Sequence, residues 1–166
     1  VYSNLSVIRS QVDVSSVAGS VASTRPLQGQ SPYVFNAGLR YDNARKQWGV
    51  SLNINRVGQR IYIVGNVNEP DLWEQGRTFL DLQITKTFMQ GRAQFKLNIQ
   101  NILAQDQIFY QNSSTARSTA SGANGFFNTL LIGDKNNQHG FDKNIDQQVW
   151  KTNFGRTFSA SLSFRF

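Results

Sequence analysis

Cysteine is missing from all 166 residues, and histidine, methionine and proline are nearly so, at one, one and three. Without cysteine there is no disulfide framework, no thiolate metal site and no cysteine nucleophile. The single His139 gives a histidine-based metal centre or a Ser-His-Asp triad little to build on. Acids are scarce as well: 10 Asp and Glu stand against 17 Lys and Arg, for a net charge of +7. The bases are scattered along the chain, which argues for solvated positions rather than a phosphate-tracking surface, so nucleic acid is not an expected partner. No apolar run approaches the ~18 residues of a membrane helix. These gaps together leave no support for an enzyme, and no cofactor is expected.

Aromatic residues, by contrast, are plentiful, with 12 Phe, 5 Tyr and 3 Trp. The mean hydropathy is nevertheless only −0.40, so the apolar residues are dispersed among polar ones. Their dispersal has a period. In GRTFSASLSFRF, residues 155–166, Phe158, Ala160, Leu162, Phe164 and Phe166 share one parity, opposite Thr157, Ser159, Ser161, Ser163 and Arg165. Alternation of this kind is a strand with two chemically different faces. It recurs in SPYVFNAGLRYD (31–42), QWGVSLNINR (47–56), RTFLDLQITKTF (77–88, where Lys86 interrupts the apolar row) and RAQFKLNIQNIL (92–103). The opening VYSNLSVIRS is a weaker case, with Val1, Leu5 and Val7 on one parity. Six strands follow, each near the ~9–11 residues that cross a bilayer when tilted.

The connections alternate too. Residues 42–47 and 89–91 are short turns, whereas 12–31, 57–76 and 104–153 are long. A soluble sandwich has no reason for strict alternation. A transmembrane barrel does, with short turns on the periplasmic side and long loops outside. Asp81, Lys96, Arg40 and Asn53, poor occupants of a dry core, suit a wet lumen. On the apolar parity, Tyr41, Trp48, Phe88, Phe95 and Phe166 fall near the short-turn ends, as an interfacial girdle would.

The segments RPLQGQSPYVFNAGLRYD, NRVGQRIYIVGN, PDLWEQGRTFLDLQITKTF, FKLNIQNILAQDQIFYQ and GRTFSASLSFRF, in this order and spacing, resemble the C-terminal β-barrel region of TonB-dependent outer-membrane receptors of the Bacteroidetes type. The resemblance implies an all-β fold, an antiparallel transmembrane β-barrel segment forming six C-terminal strands of a barrel of about 22. Residues 1–166 would then be the C-terminal part of the barrel domain, the plug and upstream strands lying outside this chain. It further implies location in the bacterial outer membrane and active nutrient uptake. The partners implied are the rest of the barrel and its plug, the TonB–ExbB–ExbD motor reached through the missing N-terminal part, the barrel assembly machinery, a surface lipoprotein and outer-membrane lipid. Phe158, Leu162, Phe164 and Phe166 resemble the C-terminal assembly signal of such barrels. Two other readings are a barrel scaffold or secretion component without import, and a soluble β-sandwich carbohydrate-binding module.

Six strands fall short of the ~8 needed to close a barrel, so the first and last each require a neighbour from outside the set. The long connection at 104–153 carries Phe109, Tyr110, Phe126, Phe127, Phe141 and Trp150 among polar residues. These six are the candidate contacts for a ligand or partner, or alternatively a small core for the loop itself. In the same connection, Asp134, Asn136, Asp142 and Asp146 offer oxygens, but lack the glycine and terminal acid of a calcium-loop template.

Overall fold

Alternation along the chain produces strands, and strands are the main regular structure among the described residues. The computed structural model describes residues 1–13, 24–66, 69–111, 141–144 and 146–165. In chain order the strands are β1 (Tyr2–Val7), β2 (Val12–Asp13), β3 (Thr24–Arg25), β4 (Tyr33–Asn43), β5 (Trp48–Val57), β6 (Arg60–Ile63), β7 (Leu72–Glu74), β8 (Arg77–Phe88), β9 (Ala93–Gln100), β10 (Gln107–Gln111), β11 (Gln147–Thr152) and β12 (Thr157–Phe164). A single turn of 3-10 helix, Met89–Gly91, is the only helical element among the described residues.

The six segments that alternate are the six strands of one antiparallel sheet, ordered β1-β4-β5-β8-β9-β12. Spatial order follows chain order once the short intervening strands are passed over, so the sheet is a meander. It does not close. β1 pairs only with β4 and β12 only with β9, which leaves both as free edges among the described residues. The two short turns lie at one end of this sheet. In the second of them Met89, Gln90 and Gly91 all take positive φ, a reversal that Gly91, at +95°, makes without steric cost.

The long connections hold structure that their lack of alternation conceals. Residues 57–76 contribute β6 and β7, and residues 104–153 contribute β10 and β11; together these form a four-stranded sheet ordered β11-β10-β7-β6. Its core is Ile61, Trp73 and Tyr110, with Val64 and Phe141 packed against them. The segment before β4 is tied on by backbone bonds, Gly29 N–H to the Ile61 carbonyl at 2.8 Å and Ile8 N–H to the Pro32 carbonyl at 2.9 Å. β2 and β3 pair only with each other.

Candidate functional site

Because side chains alternate across a strand, the register decides whether six amphipathic strands agree on which face is apolar. They do. One row crosses the sheet as Leu39, Leu52, Leu82, Ile99 and Phe158, and the next as Tyr41, Val50, Ile84, Leu97 and Ala160. Nearer the short turns runs Trp48, Lys86, Phe95 and Leu162, and then Phe88, Ala93 and Phe164. β1 joins the same face, with Leu5 opposite Phe35 and Val7 opposite Tyr33.

Nothing among the described residues covers this face. Leu39 is 52% exposed and Phe158 65%, and Leu162 and Phe164 are exposed as well. The small sheet packs its core elsewhere. The apolar band ends in polar groups on the long-connection side, where Arg56 donates through Nε to the Tyr33 hydroxyl (3.1 Å) and through Nη1 to Thr78 Oγ1 (2.8 Å). On the short-turn side it ends in aromatics and one cation, with the Lys86 ammonium 5.0 Å from the centre of the Trp48 ring.

The opposite face is polar throughout its middle. Arg40, Ser51, Gln83, Asn98 and Ser159 form one row, and Asp42, Gly49, Thr85, Lys96 and Ser161 the next. The side chains hydrogen-bond to one another along it: Asn55 Nδ2 donates to Asn36 Oδ1 at 2.5 Å, and the Tyr2 hydroxyl to Asn53 Oδ1 at 2.8 Å. Tyr2 reaches Asn53 by lying across Gly38, where a Cβ would come within 2.2 Å of its ring. Toward the short turns this face forms a shallow open concavity lined by Arg40, Asp42, Gln83, Gln94 and Lys96.

The aromatic residues of the long connection divide by location. Phe109 stacks on Trp150, ring centres 4.1 Å apart, and Tyr62 from β6 meets Phe109 edge-on at 4.7 Å. Tyr110 points to the other side of the sheet and packs on Phe141 at 5.4 Å. Phe109 and Tyr110 are buried, so they hold the small sheet together. Tyr62 and Trp150, 42% and 40% exposed, retain accessible ring surface. Phe126, Phe127, His139, Asp134, Asn136 and Phe166 lie outside the described residues. Burial holds the Tyr110 phenol well above its ordinary pKa, and the charge of Asp146 adds to the shift.

Two features carry little signal in the sequence. Tyr62 sits in the run IYI, too short to show a period. Glu74 is buried, with its carboxylate accepting from Arg60 (2.7 Å), Arg77 (3.3 Å) and Gln107 Nε2 (2.8 Å). This cluster joins four strands, β6, β7 and β10 of the small sheet and β8 of the large one, because Arg77 opens β8. Asp142 and Asp146 cap their own turn, Asp146 Oδ2 accepting the Asp142 N–H at 2.7 Å and Asp142 Oδ1 the Asn144 N–H at 2.9 Å. No group of three or more His, Asp and Glu converges among the described residues.

No family model matches this chain, and no curated protein or solved structure matches it either.

Proposed function

We propose that this chain is part of the wall of an outer-membrane barrel, the C-terminal portion of a TonB-dependent receptor for active nutrient uptake. One observation carries the reading: a six-stranded sheet with a continuous apolar face that no described element covers and a polar face on its reverse. In water, burying each such side chain is worth ~1.5–3 kcal/mol, and a sandwich would capture that by stacking a second sheet on the face. The four-stranded sheet does not do so, since its apolar residues converge on Ile61, Trp73 and Tyr110.

The dimensions support the same reading. From Trp48 to Arg56 the apolar face of β5 runs roughly 26 Å along the strand, at about 3.3 Å per residue. A tilt of about 40° shortens this to roughly 20 Å, comparable to the ~25 Å apolar band of an outer-membrane wall. Aromatic residues at the lower rim and Arg56 with Tyr33 at the upper suit the two interfaces. The free edges of β1 and β12 are intolerable in hydrocarbon, so in this reading both pair with strands supplied from outside the chain. The plug and the TonB–ExbB–ExbD motor belong to that outside part. Phe158, Leu162, Phe164 and Phe166 would present the assembly signal to the barrel assembly machinery. The small sheet stands outside the membrane at the long-connection end, and its exposed Tyr62 and Trp150 form the surface offered to a ligand or surface lipoprotein.

Paired cysteines test the wall. Leu82→Cys and Leu162→Cys should resist a membrane-impermeant thiol reagent in intact outer membranes, while Asp81→Cys and Ser161→Cys label from the aqueous lumen. Equal labelling of the two parities, or recovery of the protein without detergent, would defeat the reading.

A further inference from the structure

Five of the bases that are scattered in sequence are brought by the fold to one end of the large sheet. Arg45 and Lys46 lie in the turn between β4 and β5, Lys86 near the end of β8, Arg92 after the Met89–Gly91 turn and Arg165 just beyond β12. All five therefore stand at the short-turn end. The sole carboxylate there among the described residues is Asp42, and Arg40 already holds it at 2.6 Å. The others belong to the long connections, or to the opposite half of β8 in the case of Asp81. None of the five cations makes an ion pair among the described residues.

Two details make this collar costly without an anion beside it. The Arg165 N–H donates to the Arg92 carbonyl at 2.7 Å, continuing the β9–β12 ladder and setting two arginines directly across from each other. Like charges in that position repel. Lys86 projects from the apolar face, in a row between Trp48 and Phe95, and its ammonium bends back to the Lys46 carbonyl beside the Trp48 ring. A lysine stem on apolar surface with its head drawn to the rim is the posture of a side chain at a bilayer interface.

We infer that Arg45, Lys46 and Lys86, the members of this collar in the turn and on the apolar face, bind the phosphate groups of anionic phospholipids in the leaflet that meets the short-turn end, whereas Arg92 and Arg165 lie on the parity of the polar face. The inference rests on the membrane-wall reading of the same sheet. Lysine and arginine donate to phosphate oxygens, and the aromatic row above them places those oxygens at headgroup depth. Each well-engaged cation near an anionic surface favours binding about fivefold, and salt weakens it within a Debye length.

Trp48 reports on the site, being half-exposed and at the collar, whereas Trp73 is buried in the small sheet. The full-length protein is reconstituted into bilayers containing brominated phosphatidylglycerol or brominated phosphatidylcholine, and the quenching assigned to Trp48 is taken as the difference from Trp48→Phe. The expected result is at least about fivefold preference for the anionic lipid, reduced by salt. It should vanish in the combined variant Arg45→Gln, Lys46→Gln, Lys86→Gln, and persist in the double variant Arg92→Gln, Arg165→Gln and in Lys143→Gln at the far end. Equal quenching by both lipids would overturn the collar while leaving the wall in place. So would a preference that survives the combined variant. Absence of quenching by either lipid would overturn the wall and the collar together.

Discussion

The two sheets of this protein solve the same problem in opposite ways. The four-stranded sheet encloses its own core: Ile61 and Tyr110 are fully buried, and Glu74 is buried with three partners. The six-stranded sheet has longer strands and almost no interior, with Ala93 its only buried apolar residue. Its strands pair along most of their length, yet its apolar side chains find no cover within the described chain. The difference teaches that pairing and burial are separate achievements. A small sheet with aromatics on both sides can be completed by its own chain, whereas a wide, one-sided sheet needs a solvent or a neighbour of matching polarity.

The sharpest way to break this comparison is to remove the interior of the small sheet. Trp73→Ala should cost about 3–5 kcal/mol locally. Hydrogen exchange should then accelerate in β6, β7, β10 and β11 and stay slow in β5, β8 and β9. Acceleration of equal size in both sheets would mean that they share one cooperative core.

Next in size is a charge placed on one face or the other. Leu82→Arg should lower insertion by about 2–4 kcal/mol, as for a charge near the bilayer midplane. Gln83→Arg, one residue on and facing the other way, should leave it unchanged. Folding yield into lipid vesicles against denaturant measures both. Matching losses would erase the distinction between the faces.

Glu74→Gln comes third. It leaves Arg60 and Arg77 without their carboxylate, and since Arg60 is partly exposed the expected loss is about 2 kcal/mol. It should show as slower-forming protection at the β7–β8 junction, with the apolar rows intact.

The smallest effect is set by pH. The Tyr110 phenol is raised above its ordinary 10.0, so the fold favours the neutral form. Its contribution is complete below that value and is lost as pH rises beyond it, because the unfolded chain ionises first. Alkaline titration followed by phenolate absorbance and exchange should loosen the small sheet before the large one. At the acid end, hydrogen bonds from Lys151 and Asn153 hold the partly exposed Asp106 carboxyl below its usual range, and Asp106→Asn should change stability too little to resolve.

The large sheet was legible because its code is local. A period of two is written in each strand, and the two short turns fix the β4–β5 and β8–β9 pairings. From β4 to β12 the observed register joins like parity to like, and even the weak opening segment takes the side that Leu5 and Val7 indicate. The small sheet was not legible. β6, β7 and β10 span three to five residues with large side chains on both faces, Phe109 and Tyr110 among them, and such a run has no period to detect. Read as loop, those aromatics looked like candidates for contact; two of them turn out to be interior.

By itself, then, the sequence determined the six amphipathic strands, the two pairings across short turns and the separation of the faces, since each depends on neighbours in the chain. Only the tertiary structure decided what long-range contact decides. Glu74 draws in Arg60, Arg77 and Gln107 from three separate segments, Tyr62 meets Phe109 and Trp150, and five dispersed bases gather at one end. Burial, pairing and local charge are properties of positions in space, and a chain that repeatedly returns on itself brings distant positions together.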